Sequence, residues 1–219
     1  MAEQLPDSAQ QRVFVLEIGG SRPFDVALGL GTHELKDCGV MLQLDYRAMT
    51  ASSLGHGPRA FLLPSQAEES GGPRELQKGQ WDEVQDRARL RWAGREWLIL
   101  RHALTGLPAA PARGICLNAT GSGLPAAALL LVEDGKDRGN FYRIRTAALR
   151  PAPGVEVVAV RAKDGTERLS VRVGRDAPAI TLDAEPVPRD SQVPLRNGQK
   201  LVVAESPQES RLTLRVFVA

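Results

Sequence analysis

The chain has 219 residues, enough for one large β domain or two small domains of roughly 100 residues each. Its 42% hydrophobic content predicts a packed core. Charged residues make up 25% with a net charge of only +2, so no overall field attracts nucleic acid or a membrane, and neither is expected as a partner.

The compartment is predicted from the N-terminus, the apolar runs and the cysteines. Residues 1–11 are polar and lack the apolar core of a secretory signal. The longest apolar run, residues 124–132, is far shorter than the roughly 20 residues that span a membrane. Cys38 and Cys116 are far apart and lack metal-binding spacing, which favours two buried free thiols. We therefore expect a soluble, cytoplasmic protein.

Strand patterns dominate the first half of the chain. Residues 12–18 are rich in β-branched and aromatic side chains and end at the turn pair Gly19-Gly20. A second strand at 24–28 follows so closely that the two are predicted to form a hairpin. Further strands are predicted at 40–44 and 60–63.

A polar stretch then separates these strands from a second hairpin. Residues 64–80 hold almost no apolar side chains, which predicts an exposed loop, and residues 81–87 fit a short helical turn. Strands at 88–92 and 95–100 flank Ala93-Gly94. Leu90 and Trp92 alternate with arginines in the first strand, and Trp97 and Ile99 share one face of the second. This alternation predicts a hairpin whose tryptophans point into the core.

The pattern of proline and glycine divides the chain into two domains. Residues 105–126 hold three prolines and four glycines and are interpreted as a linker between a β-rich domain at 12–104 and a second domain at 127–219. In the second domain, strands flank turn pairs such as Asp164-Gly165, one of the strongest hairpin signals. The fold class predicted is all-β: two small β-sandwich-like domains with little helix.

Three passages resemble the forkhead-associated domains, a family of β-sandwiches. Residues 131–144 are similar to the family's opening hairpin, and residues 193–203 to the turn before its last strand. In the first half, Ser53-Leu-Gly-His56 fits the family's Ser-x-x-His motif. Also in the first half, Gly29-Leu-Gly31 stands where the family has Gly-Arg. The Ser-x-x-His is missing from the second half, so the resemblance implies a degenerate second domain.

The resemblance implies phosphothreonine-peptide recognition through the loop at 47–59. A phosphate needs hydroxyl and amide donors held in a loop, with a cation to pair its charge. The candidate residues are Arg47, Ser52, Ser53, His56 and Arg59. The alternative is an ordinary polar loop between two strands, where serine, glycine and histidine are common.

A second candidate surface is the arginine face of the predicted hairpin. Arg89 and Arg91 alternate with Leu90 and Trp92, so they leave the opposite face of the strand. Such a face fits an acidic partner or single-stranded nucleic acid, although arginine on an outer strand face is usually only solvated.

Other chemistries find no support in the sequence. No serine stands in a Gly-x-Ser-x-Gly elbow, the three histidines have no metal-binding spacing, and no phosphate-cradling glycine loop is present. No catalytic residue, metal or cofactor is therefore predicted. The leading hypothesis is a non-enzymatic protein–protein interaction or adaptor protein of a bacterial multiprotein system. Alternatives are phosphothreonine-peptide recognition, a structural subunit of a virion or secretion assembly, and a hydrolase of unknown type. A homo-oligomer is left open.

Overall fold

The computed structural model describes most of the chain and divides it into two compact units. The described residues are 9–18, 24–46, 48–65, 72–105, 113–118, 128–144, 148–161, 167–204 and 212–218. Unit 1 comprises residues 1–115 with 119–123, and unit 2 comprises residues 116–118 with 124–219.

Unit 1 is built from short antiparallel strands. Its strands are β1 (Ala9–Ile18), β2 (Asp25–Leu28), β3 (Gly31–Leu35), β4 (Val40–Leu44), β5 (Met49–Ser53), β6 (Phe61–Leu63), β7 (Arg74–Glu75), β8 (Asp82–Glu83), β9 (Arg89–Trp92), β10 (Arg95–Thr105) and β11 (Arg113–Ile115). A three-residue 3₁₀ turn, Lys36–Cys38, joins β3 to β4.

The strands of unit 1 form two sheets that enclose one core. The larger sheet has the order β11-β2-β1-β10-β9-β6-β7, and the smaller has the order β3-β4-β5-β8. Val13, Val15 and Trp97 from the larger sheet pack with Leu42 and Met49 from the smaller, and all five are fully buried. Because side chains alternate along each strand, one face of each sheet supplies this core.

Unit 2 repeats this plan with different pairings. Its strands are β12 (Ala128–Asp134), β13 (Phe141–Ile144), β14 (Leu149–Ala152), β15 (Val155–Arg161), β16 (Glu167–Val173), β17 (Ala179–Leu182), β18 (Glu185–Pro186), β19 (Ser191–Pro194), β20 (Lys200–Ala204) and β21 (Leu212–Val218). One sheet has the order β13-β12-β21-β20-β17-β18 and the other β14-β15-β16-β19. Leu130 and Val216 of the first pack with Val157 and Val171 of the second.

The structure confirms the all-β prediction. Within the described ranges, the only helical segment is the turn Lys36–Cys38, and no helix there could cross a membrane. The predicted hairpin of β9 and β10 forms, with Ala93 and Gly94 at φ of 51° and 76°. These left-handed values match the turn type whose twist suits two-residue hairpins.

Three predicted segments differ from the structure in detail. The helical turn expected at 81–87 is wrong: β8 pairs with β5 here, because Val84 is buried in the core and its N–H donates to the carbonyl of Met49. The polar segment at 64–80 carries strand β7. Within 105–126, β11 pairs with β2.

Candidate functional site

The loop proposed for phosphate binding begins at the end of β5, where Ser52 is fully buried. The Ser52 hydroxyl donates to the carbonyl of Gln77 and accepts from the Gly79 N–H, each at 3.1 Å. Both its donor and its acceptor capacity are therefore used to hold residues 77–79 against β5. Ser52 is placed as a structural residue of the loop rather than as a free phosphate donor.

Ser53 and His56 lie on the outer part of the same loop, next to Lys78. The Ser53 hydroxyl accepts from the Gly55 N–H at 3.0 Å, and Ser53 bridges to Lys78 in parallel register. The Lys78 side chain passes over Gly55, since a Cβ built there would lie 2.6 Å from Lys78 Cδ. His56 and Lys78 are exposed, and neither is ion-paired within the described ranges. The structure thus brings together Ser53, His56 and a lysine that sequence reasoning missed.

Of the remaining two members of the predicted set, the structure describes only Arg59. Arg59 is exposed and pairs with Glu75 of β7 at 3.3 Å. Arg47 lies outside the described residues. The loop is also held by Trp92 of β9, because its Nε1 donates to the Pro58 carbonyl at 3.0 Å.

The two arginines of the predicted arginine face are ion-paired with a glutamate of the same hairpin. Arg89 and Arg91 both pair with Glu96 across the hairpin, at 2.9 Å and 3.2 Å. Leu90 faces the core, so the predicted alternation of faces is correct. Since one carboxylate serves two guanidinium groups, the face keeps only part of its positive charge. Exposed pairs of this kind stabilise a hairpin by less than about 1 kcal/mol.

A different feature, the outer edge of β3, was not predicted from the sequence. In an antiparallel sheet, alternate residues turn their backbone groups to alternate neighbours. The Leu54 N–H donates to the Gly39 carbonyl and the Asp45 N–H to the Ala48 carbonyl, so odd-numbered residues along β4 face β5. The even-numbered residues of β4 therefore bond to β3, where they lie opposite residues 31, 33 and 35.

It follows that Thr32 and Glu34 turn their N–H and C=O groups away from β4, towards the edge. Neither residue has a backbone hydrogen bond on that side within the described part of the chain, and both side chains are exposed. The side chains of His33 and Leu35, on the other face of the strand, are buried in unit 1. His33 is fixed there because its Nε2 donates to the Gly29 carbonyl at 2.8 Å.

A groove of about 520 Å³ runs along this open edge, lined by Thr32, His33, Glu34, Lys36, Asp37 and Arg113. Arg113 lies opposite Leu28 in the β11–β2 pair, so its side chain leaves the larger sheet on the core side. Its guanidinium stacks over the Phe24 ring at 5.7 Å. No carboxylate pairs with Arg113 within 4 Å among the described residues. The groove thus has an unsatisfied backbone edge on one wall and an available cation on the other.

The other edge strands of the described sheets are protected or very short, β11 having only three residues. Pro151 interrupts β14, Pro186 ends β18 and Pro194 ends β19, and proline offers no N–H to an added strand. Strands β7 and β8 have only two residues each, too few to template a neighbour.

The edge of β13 in unit 2 is closed by the chain itself. The Leu117 N–H donates to the Phe141 carbonyl at 2.8 Å. Asn118 donates from Nδ2 to the Arg143 carbonyl and accepts from the Arg143 N–H, each at 2.8 Å. One amide side chain thereby satisfies both outward backbone groups of Arg143.

Cys38 and the potential metal ligands add no reactive site. Cys38 is fully buried, and burial, followed by the charge of Asp37, raises the pKa of its thiol. A thiol in this state is a poor nucleophile. In the described ranges, no group of three histidine, cysteine or acidic residues is placed to hold a metal ion.

In comparisons with known proteins, no family model, curated protein or solved structure matches the chain. A function is therefore assigned from the geometry of the described residues. Within that geometry, the open edge of β3 and the Ser53–Lys78 cluster are two places where polar groups face solvent without being fully used.

Proposed function

We propose that the chain is a non-enzymatic interaction protein, an adaptor that binds other proteins of a cytoplasmic bacterial assembly. The observation that carries this proposal is the unpaired edge of β3. An exposed edge is a template for any other chain, and folded proteins normally block it. In this chain the other edges carry proline, are very short or are covered, so the exception at β3 fits a surface kept open for a partner.

The test is to purify the tagged chain from its native host after mild cross-linking and then to reconstitute any complex from purified components. We expect a protein partner at near-stoichiometric amounts that rebinds at micromolar concentration. A chain that stays monomeric in light scattering, with no reproducible partner, would contradict the adaptor function. Large symmetric particles of the chain alone would instead favour a structural subunit.

The second candidate function is phosphothreonine-peptide recognition of the forkhead-associated type. It is favoured by one arrangement, in which Lys78 lies over Gly55 beside Ser53 and His56. A lysine without an acidic partner next to a hydroxyl suits a phosphate group. Because the Ser52 hydroxyl is already used, the phosphate would be held by Ser53 and Lys78.

Titration with matched phosphothreonine and threonine peptides tests this candidate. Binding should require the phosphate and should weaken at least tenfold in Lys78→Ala and Ser53→Ala. Lys136→Ala, an exposed lysine in unit 2, is the control and should bind like the wild type. Equal affinity for both peptides would remove phosphate recognition by this loop.

A further inference from the structure

We infer that the open edge of β3 binds an extended segment of another protein by strand addition. The segment that it selects carries a cationic side chain opposite Glu34, next to a carboxylate that reaches Arg113. This inference rests on the proposed interaction function and names the chemistry of the partner.

The backbone part of the site consists of two residues. Thr32 and Glu34 each offer one N–H and one C=O towards the edge, so an antiparallel segment can form two hydrogen-bonded pairs with β3. These bonds require an extended backbone in the partner, and they are independent of its sequence. They supply affinity, and the side chains must supply selectivity.

The side chains of an added strand would alternate between two different environments. A residue opposite Glu34 faces the outer side of the sheet, where the Glu34 carboxylate is exposed. An opposite charge in a directly paired position is stabilising there, and a like charge is destabilising. The outer position therefore favours lysine or arginine.

The next residue along the added strand lies opposite His33 and faces inward. Arg113 lines the groove on that side, with its guanidinium on the Phe24 ring and no carboxylate partner in the described ranges. Guanidinium groups bind carboxylates through paired, charge-assisted hydrogen bonds. An acidic side chain at this inward position would pair with Arg113, so the recognition element is an adjacent cation and anion on opposite faces.

Two capped eight-residue peptides test the charge order. Both alternate threonine on the outer face with valine on the inner face. Peptide A has lysine outside and glutamate inside at its centre, and peptide B has these two residues exchanged. Fluorescence anisotropy should show that peptide A binds at least tenfold more tightly than B. In the double variant Glu34→Lys/Arg113→Glu, the preference should reverse.

Backbone methylation separates strand addition from side-chain binding. In peptide A, the N–H of the central lysine points at β3, and the N–H of the adjacent glutamate points away. N-methylation at lysine should therefore weaken binding at least tenfold, whereas N-methylation at glutamate is the matched control. Bound peptide should also slow amide exchange at Thr32 and Glu34. These readouts use the wild-type protein, so they do not depend on a variant that folds.

Several results would overturn the inference. They are absence of peptide A binding at millimolar concentration, equal effects of the two methyl groups, or unchanged exchange at Thr32 and Glu34 under saturation. Protection that rises with protein concentration in the absence of peptide would show that a second copy occupies the edge.

A block of the edge distinguishes this inference from the broader adaptor function. Thr32→Pro removes an outward N–H that β4 does not use, and Thr32→Val keeps it. A cellular partner that is lost with the proline variant and kept with the valine variant supports binding at β3. A partner that binds both variants leaves the adaptor function in place and overturns the site, whereas finding no partner at all contradicts the adaptor function itself.

Discussion

Strands β3 and β13 both lie at a sheet edge with outward backbone groups, but these groups are hydrogen-bonded on β13 and lack such partners on β3 in the described part of the chain. On β13, the outward carbonyl of Phe141 and both outward backbone groups of Arg143 are satisfied by Leu117 and Asn118. On β3, the corresponding groups of Thr32 and Glu34 have no such partner in the described part of the chain. An open edge is therefore not a general property of these small sheets, because two residues, Leu117 and Asn118, are enough to close one.

The difference also shows where the chain devotes residues to edge protection. The segment 116–118 belongs to unit 2, where it is ordered along the edge of β13. Ordering each residue costs roughly 1–2 kcal/mol of conformational entropy, so a covering segment must repay this cost in hydrogen bonds. No described segment does the same for β3, the edge that we propose for an external strand.

The largest expected effect tests the turn that presents β3. Gly39 has φ of 67°, and a Cβ there would lie 2.3 Å from Trp92 Nε1. Gly39→Ala should lower the free energy of unfolding of unit 1 by about 2–4 kcal/mol, through left-handed strain and overpacking together. Gly94→Ala is the control, because φ is 76° and no atom lies within 4 Å. Its cost should be only about 1 kcal/mol.

Urea unfolding followed by tryptophan fluorescence measures this pair of variants. All three tryptophans, Trp81, Trp92 and Trp97, belong to unit 1, so the signal reports on that unit alone. Equal destabilisation by the two alanines would mean that the ring of Trp92 moves aside, and that β3 is held less firmly than its geometry indicates.

A smaller effect is expected from opening the closed edge. Asn118→Ala removes both hydrogen bonds to Arg143 and should destabilise unit 2 by about 1–3 kcal/mol. Amide exchange at Arg143 should then approach the rates of Thr32 and Glu34. Asn118→Asp keeps an acceptor for the Arg143 N–H and should preserve part of its protection. If the Arg143 amide stays slow in the alanine variant, Asn118 does not seal the edge.

The smallest expected effect is a pH dependence of the stability of unit 1, which decides the pH at which the two edges should be compared. Burial lowers the pKa of His102 in β10 below its ordinary value of about 6.5. Protonation then favours the unfolded state, so the stability that neutral His102 contributes is complete above that value. It should be lost as the pH falls towards the folded pKa, at no more than about 1.4 kcal/mol per pH unit.

Fluorescence-detected unfolding between pH 5.5 and 7.5 checks this dependence in unit 1. His102→Gln should flatten it. An unchanged slope in the glutamine variant would assign the pH dependence to other groups.

Period-two patterning was enough to predict most of the long strands and the inward side of the β9–β10 hairpin, where Leu90 and Trp97 are buried. It failed at β3, whose Gly-Thr-His-Glu-Leu sequence is mostly polar because one face and one edge meet water. It also failed at Ser52, which resembles a loop residue. Its partners, Gln77 and Gly79, lie 25 and 27 residues away, and only the folded chain brings them together.

The candidate sites were predictable to a different degree. The Ser-x-x-His spacing located the loop, but nothing local in the sequence pointed to Lys78, which reaches Ser53 through a bridge between distant segments. The face of Arg89 and Arg91 was correct, whereas the pairing of both with Glu96 depends on the register of the hairpin. The open edge of β3 required knowing which residues bond to β4, which is a property of the whole sheet.

Because Cys38 is buried at the β3–β4 turn, the rate of its alkylation reports how often that turn opens. Its sulfur is sealed inside unit 1, one residue before Gly39, and alkylating reagents react with the thiolate that burial suppresses. A maleimide can therefore react with Cys38 only after the turn has opened. The labelling half-life of this one atom would record how often the hairpin that carries β3 lifts from the rest of the sheet, and a peptide seated on the edge should lengthen it.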